Sequence, residues 1–352
     1  MEQKTFDPDG VGVATGTYFG LPFEPETSEL VLISAPWDVT VSYGAGTAYA
    51  PDAIIEASTQ LDFYEPLAPD AWRRGIATAD VDYTLLEQSQ RLRSDAERVI
   101  DHLEGGGSLD DDYVVRKVRR VNDGSRALNA NIEAQAARWL DAGKLVGLVG
   151  GDHSTPYGLI RALGARRASF GVLHIDAHRD LREAYEGFEY SHASIMYNVL
   201  RDVPQVTRLV QVGVRDFSAA EAALAESSER VASFDDLSLS GARFRGETWD
   251  ALCRKIVETL PEEVYVSFDI DGLSFENCPH TGTPVCGGLS FNEAVWLLDT
   301  LVRSGRRIVG FDLVEVCPSP EGRIDAITGA RMLWKLCGLT LKSNNQPNQN
   351  SL

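Results

Sequence analysis

An alternating series of acidic and imidazole side chains follows an apolar stretch near the middle of the chain. Asp176, His178 and Asp180 come directly after the apolar run 170–175. Alternate residues of an extended segment point to the same side, so these three side chains are expected to face one site. Two carboxylates that flank an imidazole are typical of a divalent-metal site rather than of a hydrophobic core.

Two further segments place the same ligand types after an apolar run. Asp269 and Asp271 follow the run 264–268, and His153 follows the run 145–149 within the sequence Gly-Gly-Asp-His-Ser. A buried set of aspartates would be strongly repulsive without cations to neutralise it. Oxygen ligands with some imidazole suit manganese, and nickel, iron and zinc also bind such sets. The three segments together predict a hydrolytic centre in which two metal ions share and activate a water molecule.

Strand-like apolar runs alternate with helical patterns along most of the sequence. The runs expected to form strands are 29–35, 74–80, 145–149, 170–175, 208–214, 230–234, 264–269 and 307–313. Helices are expected at 51–61, 84–104, 126–142, 154–164, 192–201, 218–227, 247–260, 291–304 and 322–337. This alternation predicts a three-layer α/β/α fold, in which helices cover both faces of a central, mostly parallel eight-stranded sheet. Ligands bind beyond the carboxyl ends of the strands in such sheets, which is where the candidate metal-binding residues fall.

The chain is expected to contain one catalytic domain, because no convincing linker divides residues 29–340. Residues 1–28, which are rich in Gly, Pro, Phe and Tyr, are expected to form an ordered N-terminal arm. Residues 341–352 are polar and low in complexity, which predicts a disordered tail.

The composition is ordinary for a globular protein except for its charge. Apolar residues make up 43% and charged residues 24% of the chain, but the net charge is −19. This charge argues against a nucleic-acid partner, which needs a positive surface, and is compatible with a cationic substrate. No run approaches the roughly 20 apolar residues of a membrane span, so no membrane partner is expected. Five dispersed cysteines favour reduced thiols in the cytoplasm over a disulfide framework.

Three ordered signatures resemble those of the ureohydrolases, the arginase and agmatinase superfamily. They are Gly-Gly-Asp-His-Ser at 150–154, Asp-Ala-His-Arg-Asp at 176–180, and the segment 267–288, which begins Ser-Phe-Asp-Ile-Asp and ends Thr-Gly-Thr-Pro-Val-Cys-Gly-Gly. The resemblance extends from about residue 30 to residue 337 and is closest to agmatinase-type members. It implies an arginase-like fold and a homo-oligomer, either a trimer or a hexamer, although a hetero-oligomer is also open.

The resemblance also implies a role for each candidate residue. One metal ion would be held by His153, Asp176, Asp180 and Asp269, and the other by Asp176, His178, Asp269 and Asp271. Asp180 would in addition hydrogen-bond the metal-bound hydroxide. His192 matches the proton-shuttling histidine of the family, and Glu315 matches the carboxylate that orients the substrate guanidinium. The two divalent ions are expected to be Mn²⁺, and Ni²⁺ is the second choice.

The implied activity is hydrolysis of a guanidino C–N bond by metal-bound hydroxide, which releases urea and an amine. Arg182 stands where arginases place a group for the substrate α-carboxylate, so agmatine with its cationic tail is favoured over arginine. The segment 274–280 departs from the usual family sequence and contains His280, which is either a polar contact to substrate or an exposed loop residue. Guanidine, guanidino acids and substituted biguanides therefore stay open as substrates. Two different functions also stay open: an accessory subunit of a hetero-oligomeric ureohydrolase, and a hydrolase that releases formamide from a formimino group.

Overall fold

A computed structural model of the chain describes residues 6–345 and shows one eight-stranded sheet between two layers of helices. The strands are β1 (Leu30–Ala35), β2 (Ile76–Thr78), β3 (Leu145–Gly150), β4 (Phe170–Ile175), β5 (Val206–Val212), β6 (Val231–Phe234), β7 (Glu263–Asp269) and β8 (Arg307–Val314). Their order in the sheet is β2-β1-β3-β8-β7-β4-β5-β6, and every neighbouring pair is parallel. The predicted three-layer α/β/α fold is confirmed.

Ten α-helices lie within residues 6–345. They are α1 (Ala50–Ser58), α2 (Tyr83–Glu104), α3 (Asp112–Asp141), α4 (Tyr157–Gly164), α5 (Ile195–Asp202), α6 (Ala219–Ser227), α7 (Asp236–Phe244), α8 (Trp249–Glu258), α9 (Phe291–Arg303) and α10 (Ile324–Ser343). The sequence pattern did not predict α7 and placed the start of α3 fourteen residues too late. In the described part of the chain, no helix has both the length and the apolar character that crossing a bilayer requires.

Two hydrophobic clusters, one on each face of the sheet, form the core. On β1, Leu30 and Leu32 pack in the cluster that contains α1, α8, α9 and α10, whereas Val31 and Ile33 pack in the cluster of α2, α3, α4 and α5. Every residue of β1 and of β4 is buried. A strand that is buried on both faces reads as a continuous apolar run, which is why these strands could be recognised in the sequence.

The sheet order brings four chain segments to one place. Strands β3, β8, β7 and β4 are neighbours, and their parallel arrangement puts their carboxyl ends at the same edge. His153 follows β3, Asp176 follows β4, Asp269 ends β7 and Glu315 follows β8. The candidate site therefore lies in the crevice beyond the carboxyl ends of the central strands.

The ends of the chain need one correction. Helix α10 continues to Ser343, so its last three residues belong to a segment that was predicted to be a disordered tail from residue 341. Residues 346–352 of that tail and residues 1–5 of the predicted N-terminal arm lie outside the described residues. Within the arm, Tyr18 and Phe19 are buried, and the ring of Phe19 packs 4.8 Å from that of Trp334 on α10.

Candidate metal centre

One group of candidate ligands surrounds a single nitrogen atom. His153 Nδ1 lies 2.9 Å from Asp176 Oδ2 and 3.1 Å from Asp180 Oδ2. It also lies 3.2 Å from Asp269 Oδ2. All four side chains are buried. The structure thus brings together the four residues that the resemblance implied for one metal ion.

A second group adjoins the first and shares Asp176 with it. His178 Nδ1 lies 3.2 Å from Asp271 Oδ2 and 3.5 Å from Asp176 Oδ1. The two carboxylate oxygens of Asp176 therefore face different groups, Oδ2 toward His153 and Oδ1 toward His178. Asp269 approaches the second group differently, because its Oδ1 accepts a hydrogen bond from the backbone N–H of Asp271 at 2.8 Å.

The first group fits a divalent cation. His153 Nδ1 is buried and has no hydrogen-bond partner of acceptable geometry in the described part of the chain, although three carboxylate oxygens surround it. A buried polar atom without a partner is costly, so this arrangement calls for another group at the point where the four atoms converge. One imidazole nitrogen with three carboxylate oxygens is a donor set that suits a divalent metal ion.

The hydrogen bonds of His153 favour the protonation state that metal binding needs. Its Nε2 lies 2.9 Å from Ser267 Oγ, and Ser267 donates its hydroxyl proton to Asp312 Oδ2 at 2.9 Å. Ser267 must therefore accept from His153, which places one ring proton on Nε2 and leaves Nδ1 as the atom at which a metal ion can replace a proton. Such contacts orient the metal-binding ring and set its tautomer.

The ionisable groups of the site perturb one another strongly. Burial alone would lower the pKa of His153, but the carboxylates of Asp176, Asp180 and Asp269 raise it well above its ordinary value. Burial also raises the pKa of Asp269 well above its usual range, and repulsion from Asp271 and Asp176 adds to the effect. Without a cation these carboxylates can relieve their repulsion only by sharing protons, and a divalent cation at their centre would relieve it instead.

His174 contacts the candidate centre from inside the sheet. It lies inside β4, and its Nε2 is 2.7 Å from Asp176 Oδ2. The pKa of Asp176, which burial would raise, is held well below its usual range by His174 and by the two candidate ligand histidines. His174 also belongs to the group of buried residues whose ligand atoms could hold a metal ion.

Two acidic residues at the site adopt a backbone conformation that side chains rarely take. Asp180 has a φ of 54° and Glu315 a φ of 61°, both in the left-handed region. The backbone of Asp180 is held by Met196 N–H, which donates to its carbonyl at 3.0 Å. Glu315 N–H donates to Gly151 O at 2.8 Å. Strain of this kind persists where surrounding contacts enforce it and is frequent at functional sites.

Glu315 lies against the turn that carries His153. Its Oε1 accepts a hydrogen bond from the backbone N–H of His153 at 2.8 Å. Its Oε2 faces Gly282, where an added Cβ would lie 3.3 Å away. Glu315 is buried and is not among the residues that line the pocket described below. Burial, with a further contribution from Asp152, raises the pKa of Glu315 well above its ordinary value.

His192 lies in a short 3₁₀ helix beside the second ligand group. Its backbone N–H donates to Thr40 Oγ1 at 3.1 Å, and its ring lies edge-on to that of Tyr185 with 6.1 Å between centroids. Burial, with His178 and His153, lowers the pKa of His192 to about 3. The ring is therefore neutral at physiological pH in this environment.

A pocket of about 420 Å³ opens onto the candidate centre. Its walls include His178, Asp180, Arg182, Tyr185, His192 and Phe217. Two candidate ligands and the candidate proton donor thus share one cavity, whose size is typical of a small-molecule site. The Arg182 guanidinium lies 4.6 Å from the Tyr185 ring centre and 3.6 Å from a carboxylate oxygen of Glu221.

The 274–280 segment does not supply His280 to this pocket. The ring Nδ1 of His280 is 2.7 Å from Asp325 Oδ2, and its backbone N–H donates to the same carboxylate at 3.0 Å. Asp325 is fully buried in the first turn of α10. His280 therefore joins the segment to α10, and it is not among the residues that line the pocket.

The sequence did not reveal the contacts of two arginine side chains near the centre, Arg179 and Arg215. Arg179 is buried and donates to both carboxylate oxygens of Asp235, at 3.0 and 3.1 Å, and to Gln211 Oε1 at 3.2 Å. Gln211 in turn contacts His174 Nδ1 at 3.1 Å. The one available signal for Arg179 was its position between two candidate ligands, His178 and Asp180.

Comparisons with known proteins agree with this geometry. The profile of the Arginase family matches residues 28–338. An N(1)-aminopropylagmatine ureohydrolase of Thermus thermophilus is 31% identical over 320 residues, covering 89% of this chain and 91% of that enzyme. An agmatinase of Neisseria meningitidis is 32% identical over 321 residues, covering 90% and 88%. The solved structure of proclavaminate amidino hydrolase from Streptomyces clavuligerus has the same fold, with a TM-score of 0.70 at 22% identity and coverage of 95% and 99%. The chain belongs to the arginase family.

Proposed function

We propose that the protein is a metal-dependent amidino-hydrolase that cleaves a guanidino C–N bond to give urea and an amine. The observation that carries this proposal is the convergence of His153 Nδ1 with three carboxylate oxygens beside a pocket of about 420 Å³. Membership of the arginase family supports it, as do relatives that are named agmatinase and aminopropylagmatine ureohydrolase.

The proposed centre holds two divalent ions, Mn²⁺ or alternatively Ni²⁺. The proposed ligands are His153, Asp176, His178, Asp180, Asp269 and Asp271. When bound, such a pair of ions lowers the pKa of the water they share and so supplies a nucleophile near neutral pH.

The remaining proposed roles belong to side chains of this chain. Asp180, which lines the pocket, accepts a hydrogen bond from the attacking water. Glu315 orients the guanidinium by accepting its N–H groups at Oε2, since Oε1 already accepts from the backbone N–H of His153. His192 lies in the pocket wall, where its neutral ring takes up a proton that the attacking water releases and passes a proton to the departing amine.

The pocket walls favour a substrate with a cationic tail, such as agmatine. Asp216 and Glu221 contribute carboxylates, and the charge of Arg182 is offset by Glu221 at 3.6 Å. Aromatic rings that can contact an ammonium group are supplied by Tyr43, Tyr185 and Phe217. This lining suits an amine better than a carboxylate at the far end of the substrate.

A substrate panel tests the proposal. Purified protein, freed of metal and reloaded with Mn²⁺ or Ni²⁺, is incubated with agmatine, aminopropylagmatine, guanidine, guanidino acids and biguanides. We expect urea and an equimolar amine from a cationic guanidine, and no urea from an Asp176→Asn control. Two results would contradict the proposal. Formamide release from a formimino substrate would favour a formimino hydrolase. No urea release by the purified protein with either metal would favour an accessory subunit.

We further propose a homo-oligomer, a trimer or hexamer, that acts in the cytoplasm with residues 29–340 as its single catalytic domain. All five cysteines lie in the described part of the chain as free thiols, and four of them are buried, which suits a reducing compartment. The family profile covers residues 28–338, nearly the whole of the proposed domain. Light scattering on the purified protein measures the subunit number, and a monomer would contradict this part of the proposal.

A further inference from the structure

Arg215 connects two loops that carry candidate metal ligands. Its backbone N–H donates to Ala177 O at 2.8 Å, in the loop after β4. Its guanidinium Nη2 donates to Asp271 O at 2.7 Å and to Leu273 O at 3.2 Å, in the loop after β7. His178 and Asp271, which form the second ligand group, lie on these same two loops.

The same guanidinium also holds one wall of the pocket. Nη2 donates to Val285 O at 3.0 Å, and Nε donates to Cys286 O at 3.1 Å. Val285 lines the pocket together with the two residues before it, Thr283 and Pro284. One side chain therefore sets the position of this wall relative to the second ligand group.

The glycine pair that ends the third family signature makes room for this contact. Gly288 has a φ of +92°, and a Cβ there would lie 2.6 Å from Leu273 O and 2.9 Å from Arg215 Nη2. Gly287 has a φ of +99°, and a Cβ there would lie 2.6 Å from Asp236 Oδ2 and 3.2 Å from Arg215 Cδ. A larger residue at Gly288 would displace the backbone or the arginine, and one at Gly287 would also meet the Asp236 side chain.

We propose that Arg215 is a positioning residue for the guanidino hydrolysis, which fixes the pocket wall 283–285 relative to the His178 and Asp271 side of the centre. This inference rests on the proposed function. A planar guanidinium can donate to several carbonyls in different directions, whereas the ammonium group of lysine on a flexible stem cannot hold the same set. Lysine keeps the positive charge, so Arg215→Lys removes only the set of directed hydrogen bonds to the backbone carbonyls.

Arg230 provides a matched control. It also donates to backbone carbonyls, Leu200 O at 2.7 Å, Val203 O at 3.2 Å and Val206 O at 3.0 Å from its Nε. It precedes β6, the edge strand of the sheet, and it does not line the pocket. Arg230→Lys therefore loses a comparable set of hydrogen bonds to backbone carbonyls, and it changes no residue that lines the pocket.

The test combines calorimetric titration of metal-free protein with Mn²⁺ and steady-state kinetics at saturating Mn²⁺. We expect Arg215→Lys to bind the more weakly held Mn²⁺ about 10-fold less tightly and to raise KM by a similar factor, with a smaller change in kcat. Arg230→Lys should leave the Mn²⁺ affinity and KM within about twofold of the wild-type values, whatever its loss in thermal stability.

Two outcomes would overturn the inference. One is wild-type Mn²⁺ affinity and KM in Arg215→Lys. The other is an equal loss in Arg230→Lys, because that result would show a general effect of stability. Metal titration needs no substrate, so it decides the role of Arg215 even if wild-type protein releases no urea, a failure that would count against the proposed function instead.

Discussion

At the scale of single residues, His192 offers the sharpest test of a catalytic role. It lines the pocket beside His178, but it is not a proposed metal ligand. We expect His192→Gln to lower kcat about 100-fold, because the departing amine loses its proton donor, while Mn²⁺ binding is unchanged. His280→Gln is the control, since that ring binds Asp325 away from the pocket. Urea release measured for both variants checks this, and equal activity of His192→Gln and wild type would contradict the assignment.

Glu186 predicts a pH dependence of stability outside the metal centre. Burial, and then Glu104, raises its pKa to about 7, while Arg93 and Arg182 oppose the shift. A carboxyl group whose pKa is higher in the folded state stabilises the fold at low pH, and this contribution is lost as pH rises from about 4.5 through about 7.

Glu186→Gln should remove the loss of stability that deprotonation of this carboxyl group causes as pH rises. Because the side chain is partly exposed, we expect a modest rise in the thermal unfolding midpoint at pH 8, about 1–2 °C, and little change at pH 4.5. Unfolding curves of both proteins from pH 4.5 to pH 8 provide the measurement. A constant difference between the two proteins over this range would contradict the assignment.

The sequence revealed the candidate ligands because alternation along an extended segment is a local property. It did not reveal Arg215, whose side chain donates to carbonyls beyond its own loop that lie between 56 and 71 residues away. Nothing local marks an arginine as a donor to distant carbonyls. The signal that could have found it was the pair Gly287 and Gly288, because the lack of a Cβ at both positions leaves room for the arginine side chain.

At the scale of elements, the α2–α3 hairpin supports the pocket. Asn122 on α3 donates from Nδ2 to Gly187 O at 3.1 Å, and its Oδ1 accepts from Glu189 N–H at 2.9 Å. These bonds hold the segment between Tyr185 and His192, two residues of the pocket wall. The hairpin therefore contributes to the shape of the pocket without supplying a metal ligand.

Asn122→Ala should lower the free energy of unfolding by about 1–2 kcal/mol and raise KM, with a smaller effect on kcat. Asn131→Ala is the control, because Asn131 bonds Asp82 and Gln135 on the same hairpin but does not reach the pocket wall. Denaturant unfolding and steady-state kinetics measure both effects. A KM that rises equally in the two variants would contradict a local role for Asn122.

Strands were easier to predict than helices in this chain. The strands are continuous apolar runs because helices cover both faces of the sheet. Helix α7 was missed because two serines and a glycine weaken its helical pattern, and Leu237 and Phe244 stay exposed. The missed start of α3 had a signal, since Val114, Val121 and Leu128 recur every seven residues and are all buried.

At the scale of the whole molecule, the α/β alternation could be predicted from the sequence, but the strand order could not. Strand β8 lies between β3 and β7, and it pairs with β3 through residues such as Gly147 and Phe311. Pairing over such a separation leaves no local mark on the sequence. This insertion brings Glu315 next to His153, a contact that strand patterns alone did not predict.

The number of divalent ions that the folded chain binds is the most direct test of the central claim. Titration of metal-free protein with Mn²⁺, followed by calorimetry, should give two ions per chain in the wild type. Asp271→Asn should retain tight binding of one ion, because His178 then lacks its partner carboxylate, and His153→Ala should likewise retain only one. A wild-type chain that binds one ion or none, or variants that both still bind two tightly, would contradict the account.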